Sequence, residues 1–243
     1  METHKLVTTE ADIVYDIHGP LPTADGRPPL FMIGQPVHAV IGALAVGPVD
    51  MFASSGGAVT ALALVAAYPN DVTTLVAHEP PVIPVLPDAE AAERALAGVR
   101  DAYQARGSGA GMATFIAMTS WRGEFSDEYF ASPAPDPAQF GMSTEDDGSR
   151  DDPLLSDRSS SVSSYRPDVK TLAAAPTRIV IAVGEESMGT FTGRTAVALA
   201  ELLGQQATVF PSHHGGFMGG EFGYPGQPEA FARKLRDVLD EGV

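Results

Sequence analysis

The sequence predicts an α/β protein with a mostly parallel sheet and helices on both of its faces. Apolar runs of strand length alternate along the chain with Ala-rich runs of helical length, and this order is typical of such sheets. Hydrophobic residues make up 44% of the 243 residues, which is enough for a sizeable core. The length is normal for one α/β domain that carries an insertion.

The strand predictions depend on short apolar or alternating runs, and the helix predictions on apolar spacing and on the residues that begin or end them. Asp88 is expected to cap one helix at its start, Pro69 ends another, and Pro228 begins the last one. Strands are predicted at 4–9, 12–18, 29–33, 49–53, 72–77, 177–183 and 207–210, and helices at 37–46, 57–68, 88–104, 195–203 and from 228 onward.

The segment 83–170 has a different character from the rest of the chain. Its first part is a polar helical stretch, and its remainder contains the single Trp and many Pro and Ser residues. We therefore predict a core formed by 1–82 and 171–243, with 83–170 as a helical cap or lid inserted over one end of the sheet. Ligands of such sheets bind beyond the carboxyl ends of the strands, so the residues that follow each strand are the candidates for chemistry.

The charge and the composition exclude several classes of function. With 15 Lys and Arg against 31 Asp and Glu, the net charge is −16, which disfavours nucleic acid, anionic membranes and anionic substrates. There are no cysteines, so disulfides, thiolate metal sites and a Cys nucleophile are excluded. The acidic loop 145–152 lacks the spacing of a calcium loop. We see neither a signal peptide nor a membrane span, and expect a cytoplasmic protein.

Ser55 lies in the string ASSGG, directly between a predicted strand and a predicted helix. A serine flanked by small residues at this position is typical of a nucleophile on a strained turn, where bulky neighbours would clash. The turn would hold the Ser55 hydroxyl beside the amides of the following helix, which can stabilise an oxyanion. The alternative is a structural turn serine.

The last predicted strand is followed by SHHGGF, which places His213 and His214 on a loop. A histidine on such a loop can reach a serine and act as its general base. The alternatives are a solvated loop pair and a metal site. Adjacent residues rarely face one ion, and we find no third His or carboxylate spaced to join these two, so no metal is expected.

Two other loops provide candidates for the remaining roles. Gln35 follows the strand 29–33, and its amide, together with that of Gly56, is a candidate oxyanion hole. A carboxylate that orients the histidine can come from Glu79, after the strand 72–77, or from Glu186, after the strand 177–183. Each glutamate can equally be a solvated loop charge.

Together the strings ASSGG, SHHGGF, IGQP and AHEPP resemble the α/β-hydrolase family, in particular its esterase-like, lipase-like and cofactor-free haloperoxidase-like members. The resemblance covers nearly the whole chain apart from the insertion. It implies Ser55 as nucleophile, His214 as base because it directly precedes Gly-Gly-Phe, the amides of Gly56 and Gln35 as the oxyanion hole, and no cofactor.

The chain departs from this family at the acid. The family usually has an Asp three residues after the glycine that ends the late strand, and Ser187 occupies that position here. Some members take the acid from the strand that follows the nucleophile helix, where Glu79 lies. Glu79 is therefore the first choice for the triad acid and Glu186 the second.

A larger departure lies between Pro36 and Val37. The family pattern has a further central strand there with its crossover helix, roughly 40–60 residues, since each parallel crossover needs a dozen or more. Without it the first two strands lose their usual neighbour in the sheet. Because such a loss leaves backbone groups unpaired, we expect the natural protein to contain these residues; an intact mass near 25.4 kDa would contradict this.

The expected function is a serine hydrolase that cleaves an ester-like bond of a small, apolar substrate. Ser at the nucleophile position disfavours the dehalogenases and epoxide hydrolases of this family, which use Asp there. The alternatives are a perhydrolase or haloperoxidase-like reaction at the same triad, and a non-catalytic binding protein. Phe115, Met118 and Trp121 are candidate substrate-binding residues, although their helical spacing also fits core packing. The oligomeric state stays open, a homodimer included.

Overall fold

The structure is a computed structural model that describes residues 2–7, 12–21, 23–24, 30–32, 37–156, 160–220 and 223–241. Its centre is a five-stranded, all-parallel sheet in the order β3-β4-β5-β6-β7. The strands of this sheet are β3 (Leu30–Met32), β4 (Val49–Ser54), β5 (Val72–His78), β6 (Arg178–Gly184) and β7 (Thr208–Phe210). The predicted mostly parallel sheet is confirmed.

The first two strands form a sheet of their own. β1 (Glu2–Val7) and β2 (Asp12–Ile17) pair antiparallel, with Glu2 opposite Ile17 and Val7 opposite Asp12. Within the described residues, neither strand pairs with the five-stranded sheet, where β3 forms one edge. Pro36, at the junction where a further strand is expected, lies outside the described residues, and the expected loss of a neighbouring strand stays a prediction.

Helices are packed against both faces of the central sheet. Successive strand residues point to opposite faces, so the buried apolar residues of one strand contribute to a core on each side. The described helices are α1 (Val37–Leu44), α2 (Gly56–Ala67), α3 (Ala89–Ser120), α4 (Asp127–Ala131), α5 (Ser160–Ser163), α6 (Val169–Ala174), α7 (Phe191–Leu202) and α8 (Pro228–Asp240). Met51 belongs to a core with α2, α6 and α7, and Phe52 belongs to a second core with α8. Short 3₁₀ turns occupy Ile83–Val85, Pro137–Phe140 and Glu185–Ser187.

The segment between β5 and β6 has a hydrophobic cluster of its own. Tyr103, Met118 and Leu155 are fully buried in this cluster, which also contains Phe191 of α7. The carboxylate of Asp88 ties the segment to α7 through a half-buried ion pair with Arg194. Leu172 of α6 already belongs to the core of the main sheet.

The helix predicted at 88–104 corresponds to the first part of α3, which is broken at Gly107, whose φ of 82° and ψ of −173° are not helical. The second part, which continues to Ser120, was missed because the sequence around this break is rich in Gly. The predicted role of Asp88 was wrong. Asp88 does precede the helix, but its carboxylate accepts from the amide of Phe125 and from Arg194 instead of capping the helix. None of the described helices is long and apolar enough to cross a membrane.

Candidate active site

Ser55 lies at a sharp turn between β4 and α2, with φ 55° and ψ −129°. Such a positive φ is costly for a residue with a side chain and persists only where its surroundings hold it. The Ser55 amide donates to the carbonyl oxygen of His78 at 2.9 Å, and the Ser55 carbonyl oxygen accepts from the amide of Ala58 at 2.9 Å. The turn therefore connects the ends of β4 and β5 to the first turn of α2.

Gly56 is the first residue of α2, so its amide has no partner within the helix. This amide and the positive end of the helix dipole lie directly after Ser55. They can stabilise the negatively charged oxygen that forms when Ser55 attacks a carbonyl group. Gln35, the other candidate for the oxyanion hole, lies outside the described residues.

His214 is paired with Glu79. Its Nδ1 atom donates to Oε2 of Glu79 at 2.6 Å, and this donation leaves Nε2 as the unprotonated nitrogen of a neutral ring. The side chain of His214 is 43% exposed, whereas that of Glu79 is completely buried. A buried carboxylate thus fixes the tautomer and the orientation of a histidine that remains accessible from solvent.

Glu79 follows β5 with a positive φ of 47°, and its backbone amide donates to the carbonyl oxygen of Ala182 at 2.9 Å. Besides His214, its carboxylate accepts from the hydroxyl of Thr192 at 2.6 Å and from the amide of Gly184 at 2.9 Å. Burial alone would favour the neutral acid, but the hydrogen bonds and charges around it outweigh burial. The pKa of Glu79 is consequently lowered to about 2, so the carboxylate is ionised at neutral pH.

The two adjacent histidines point to different partners. The ring of His213 stacks on that of Tyr224 with centroids 3.9 Å apart. Its Nε2 donates to the carbonyl oxygen of Pro225 at 3.2 Å, and its Nδ1 accepts from the amide of Gly215 at 3.0 Å. His213 therefore organises the loop that carries His214. The expectation that no third His or carboxylate joins the histidine pair was wrong for His214, because two side chains at the end of β5 lie close to it.

The second of those side chains is His78, the last residue of β5. Its side chain has no solvent exposure, and its Nδ1 lies 3.0 Å from Oγ of Ser54, its partner across the sheet. Its Nε2 lies 3.7 Å from Oε1 of Glu79. Burial lowers the pKa of His78 to about 4 against the attraction of the Glu79 charge, so the ring is neutral at neutral pH.

A cavity of about 520 Å³ opens above these residues, and both Ser55 and His214 line it. Its volume lies within the range of small-molecule sites. Gly56, Phe115, Met118 and Glu186 also line it. The further apolar contributors are Leu96, Leu154, Val162, Phe191 and Met218.

Trp121, the third residue predicted to bind substrate, does not line this cavity. Its ring packs edge-on against Tyr129 with centroids 5.3 Å apart, and its Nε1 donates to the carbonyl oxygen of Glu124 at 3.0 Å. Trp121 belongs to the same hydrophobic cluster as Phe115 and Met118, which is the core packing that their helical spacing also fitted.

Glu186 and Ser187 occupy the turn where the family usually places its acid. Within the described residues, no hydrogen bond joins Glu186 to His214; the Glu186 amide donates to the carbonyl oxygen of Ser212 at 3.0 Å. Ser187 is buried and lines the cavity. The geometry thus brings Glu79, and not Glu186, to the histidine.

Sequence reasoning missed Thr192, Gly184 and His78 as neighbours of the acid. Thr192 lies 113 positions from Glu79 along the chain and Gly184 lies 105 positions away, so no local pattern relates them to it. His78 was visible in the string AHEPP, as a polar residue at the end of an otherwise apolar strand. A polar residue at that position was the one signal in the sequence that His78 lies at the site.

Comparison with known proteins adds no family to this geometry. No protein-family model matches the chain, and no curated protein matches it at a significant level.

Proposed function

We propose that the protein is a serine hydrolase of the α/β-hydrolase type, acting on ester-like bonds through Ser55, His214 and Glu79. The observation that carries this proposal is the 2.6 Å contact between His214 Nδ1 and the buried Glu79 carboxylate, on a loop that shares one cavity with Ser55. A serine on a strained turn, a histidine of fixed tautomer and a buried acid are the parts of a catalytic triad.

In the proposed reaction, the Ser55 hydroxyl attacks the ester carbonyl and its proton passes to Nε2 of His214. The ionised Glu79 stabilises the imidazolium, and the amide of Gly56 stabilises the oxyanion. His214 then gives the proton to the departing alcohol, which leaves an acyl group on Ser55. Water, deprotonated by the same histidine, releases the acid and restores the enzyme.

The cavity supports a small and largely apolar substrate. The apolar part of the lining, which includes Leu96, Phe115 and Phe191, suits an acyl chain or a small apolar alcohol. Arg122 and Glu186 both line the cavity, so its lining carries both signs of charge, whereas the protein as a whole carries a net charge of −16. This net charge disfavours an anionic substrate.

The test combines turnover of p-nitrophenyl esters with labelling by a fluorophosphonate probe, which forms an adduct only with an activated serine. We expect hydrolysis of the acetate and butyrate esters and one adduct at Ser55. Turnover that requires added peroxide would favour the perhydrolase alternative. A folded protein that neither hydrolyses nor labels would favour the binding alternative and contradict the proposal.

A further inference from the structure

Three side chains that can act as metal ligands lie close together at the end of β5. They are His78, Glu79 and His214, and one ligand atom from each lies within 4.8 Å of the others. His78 Nε2 is 3.7 Å from one Glu79 oxygen, and His214 Nδ1 is 2.6 Å from the other. Two imidazoles and one carboxylate form a donor set that Zn²⁺ accepts.

A second observation concerns the buried ring of His78. Its Nε2 makes no hydrogen bond in the described part of the chain, although the side chain is completely buried. Leaving a buried polar atom unsatisfied costs about 1–3 kcal/mol. Phe210 and Phe231 pack against the ring with centroids 6.2 Å and 5.3 Å away, so its surroundings are otherwise apolar.

We propose that His78, Glu79 and His214 form a binding site for one divalent transition-metal ion of the Zn²⁺ type. The ligands would be His78 Nε2, a Glu79 oxygen and His214 Nδ1. Zn²⁺ lies about 2.0–2.2 Å from such atoms, so tetrahedral ligands are roughly 3.3–3.5 Å apart. The 3.7 Å between His78 and Glu79 is close to this separation. His214, on its exposed loop, would make the larger movement.

The surrounding groups can support these ligands. The Ser54 hydroxyl can accept a hydrogen bond from Nδ1–H of His78, which leaves Nε2 unprotonated and free for the metal. Thr192 and the Gly184 amide hold the Glu79 carboxylate in place. Partners of this kind orient metal ligands and strengthen their binding by roughly 10–100-fold. Binding displaces the Nδ1 proton of His214 into solvent.

The consequence for activity depends on the proposed hydrolase function. A His214 ring bound to metal through Nδ1 carries its proton on Nε2 and therefore cannot accept the proton of Ser55. The ion also occupies the carboxylate that would stabilise the imidazolium. The site would thus be inhibitory, and its occupancy would switch the triad off reversibly.

The test measures Zn²⁺ binding directly on the tag-free chain, by titration calorimetry and by competition with a chromogenic chelator. We expect one ion per chain with a micromolar or tighter dissociation constant, and at least a tenfold weakening in His78→Gln, Glu79→Gln and His214→Ala. Ser55→Ala should bind like the unmodified protein because Ser55 is not a ligand. His38→Gln is a second control, since His38 and Asp71 form a separate surface pair, 2.6 Å apart.

Absence of Zn²⁺ binding, or unchanged binding in His214→Ala, would overturn the proposal. His214→Ala tests the metal site even where a His78 variant fails to fold, because the side chain of His214 is partly exposed.

The binding assay needs no substrate, so the metal site and the hydrolase function can be contradicted separately. Zn²⁺ binding without any esterase activity would contradict only the hydrolase function, and activity without Zn²⁺ binding would contradict only the metal site. In an active enzyme, Zn²⁺ should inhibit stoichiometrically, and chelation should restore activity.

Discussion

Nδ1 of His214 and Oε2 of Glu79 lie 2.6 Å apart although the two residues are 135 positions apart along the chain. The contact joins the loop after β7 to the end of β5, and it determines which His214 nitrogen is free to accept a proton. The amide of Gly184 in β6 and the hydroxyl of Thr192 in α7 donate hydrogen bonds to the same carboxylate. The proposed chemistry therefore depends on the position of one buried acid.

Replacing Glu79 with Gln should lower kcat for p-nitrophenyl butyrate by about 10²–10⁴-fold, because a neutral amide neither stabilises the imidazolium nor fixes the tautomer of His214. KM should change little, since Glu79 is buried and does not line the cavity. The measurement is steady-state kinetics on folded protein.

Glu186→Gln is the matched control for this prediction. Glu186 lines the cavity but makes no hydrogen bond to His214 in the described residues, so its variant should keep kcat within a few-fold. A large loss of kcat in Glu186→Gln with near-normal activity in Glu79→Gln would assign the acid to the other loop.

Acidification should destabilise the protein through His78. The folded-state pKa of His78 is about 4 and its ordinary value is 6.5, so between these values the unfolded chain binds a proton that the folded chain does not. Stability is therefore lost as the pH falls from about 6.5 to 4, at up to about 1.4 kcal/mol per pH unit. Glu79, with its pKa lowered to about 2 from 4.5, adds a further loss only at lower pH, between about 4.5 and 2.

Urea unfolding at pH 7 and pH 5 measures this loss. The unmodified protein should lose more stability between the two values than His78→Gln, which has no imidazole at this position to protonate. Equal losses in the two proteins would show that His78 is not the buried titrating group.

Gly184→Ala should damage both stability and activity. A Cβ at residue 184 would lie 2.6 Å from the carbonyl oxygen of Ser212 and 3.1 Å from Oε1 of Glu79, so the backbone before the two histidines must move. Overpacking of this kind costs about 1–3 kcal/mol, and we expect at least a tenfold lower kcat/KM. Urea unfolding and ester hydrolysis measure the two effects.

Gly98→Ala is the control, because Gly98 lies in α3 and a Cβ there meets no atom within 4 Å. That variant should be neutral or more stable by about 0.5–1 kcal/mol, since Ala favours a helix over Gly. A Gly184→Ala protein as stable and active as Gly98→Ala would contradict the close approach of β6 and the Ser212 loop.

Phe115→Ala should shift the preference of the enzyme toward longer acyl chains. Phe115 lines the cavity, so its truncation enlarges the space above Ser55. We expect the ratio of kcat/KM for the octanoate ester to that for the acetate ester to rise several-fold. Trp121→Phe, outside the cavity, should leave the ratio unchanged, and an equal rise in both variants would contradict their different placement.

The sequence predicted those parts of the site that depend on local patterns. Ser55 was found because a strand, a small-residue turn and a helix follow one another within a few positions, and the turn geometry is a local property. The parallel sheet was predicted for the same reason, since each strand and each helix carries its own periodicity. The ends of these elements were within a few residues of those observed, except in α3.

What could not be predicted depends on contacts between distant segments. No local pattern separated Glu79 from Glu186, and the preference for Glu79 came from the family resemblance alone; the contact between Glu79 and His214 joins segments that are 135 positions apart. His78 could not be joined to His214 because their distance along the chain carries no information about their distance in space. Trp121 shares a helical spacing and a hydrophobic cluster with Phe115 and Met118, but this spacing carries no information that its ring packs against Tyr129 instead of lining the cavity.

Intact-mass spectrometry after fluorophosphonate treatment measures whether Ser55 is the activated nucleophile on which the proposed function depends. We expect one adduct per chain in the unmodified protein, located at Ser55 by peptide mapping, and none in Ser55→Ala or His214→Ala. Labelling of the neighbouring Ser54, or equal labelling of Ser55→Ala and the unmodified protein, would contradict it.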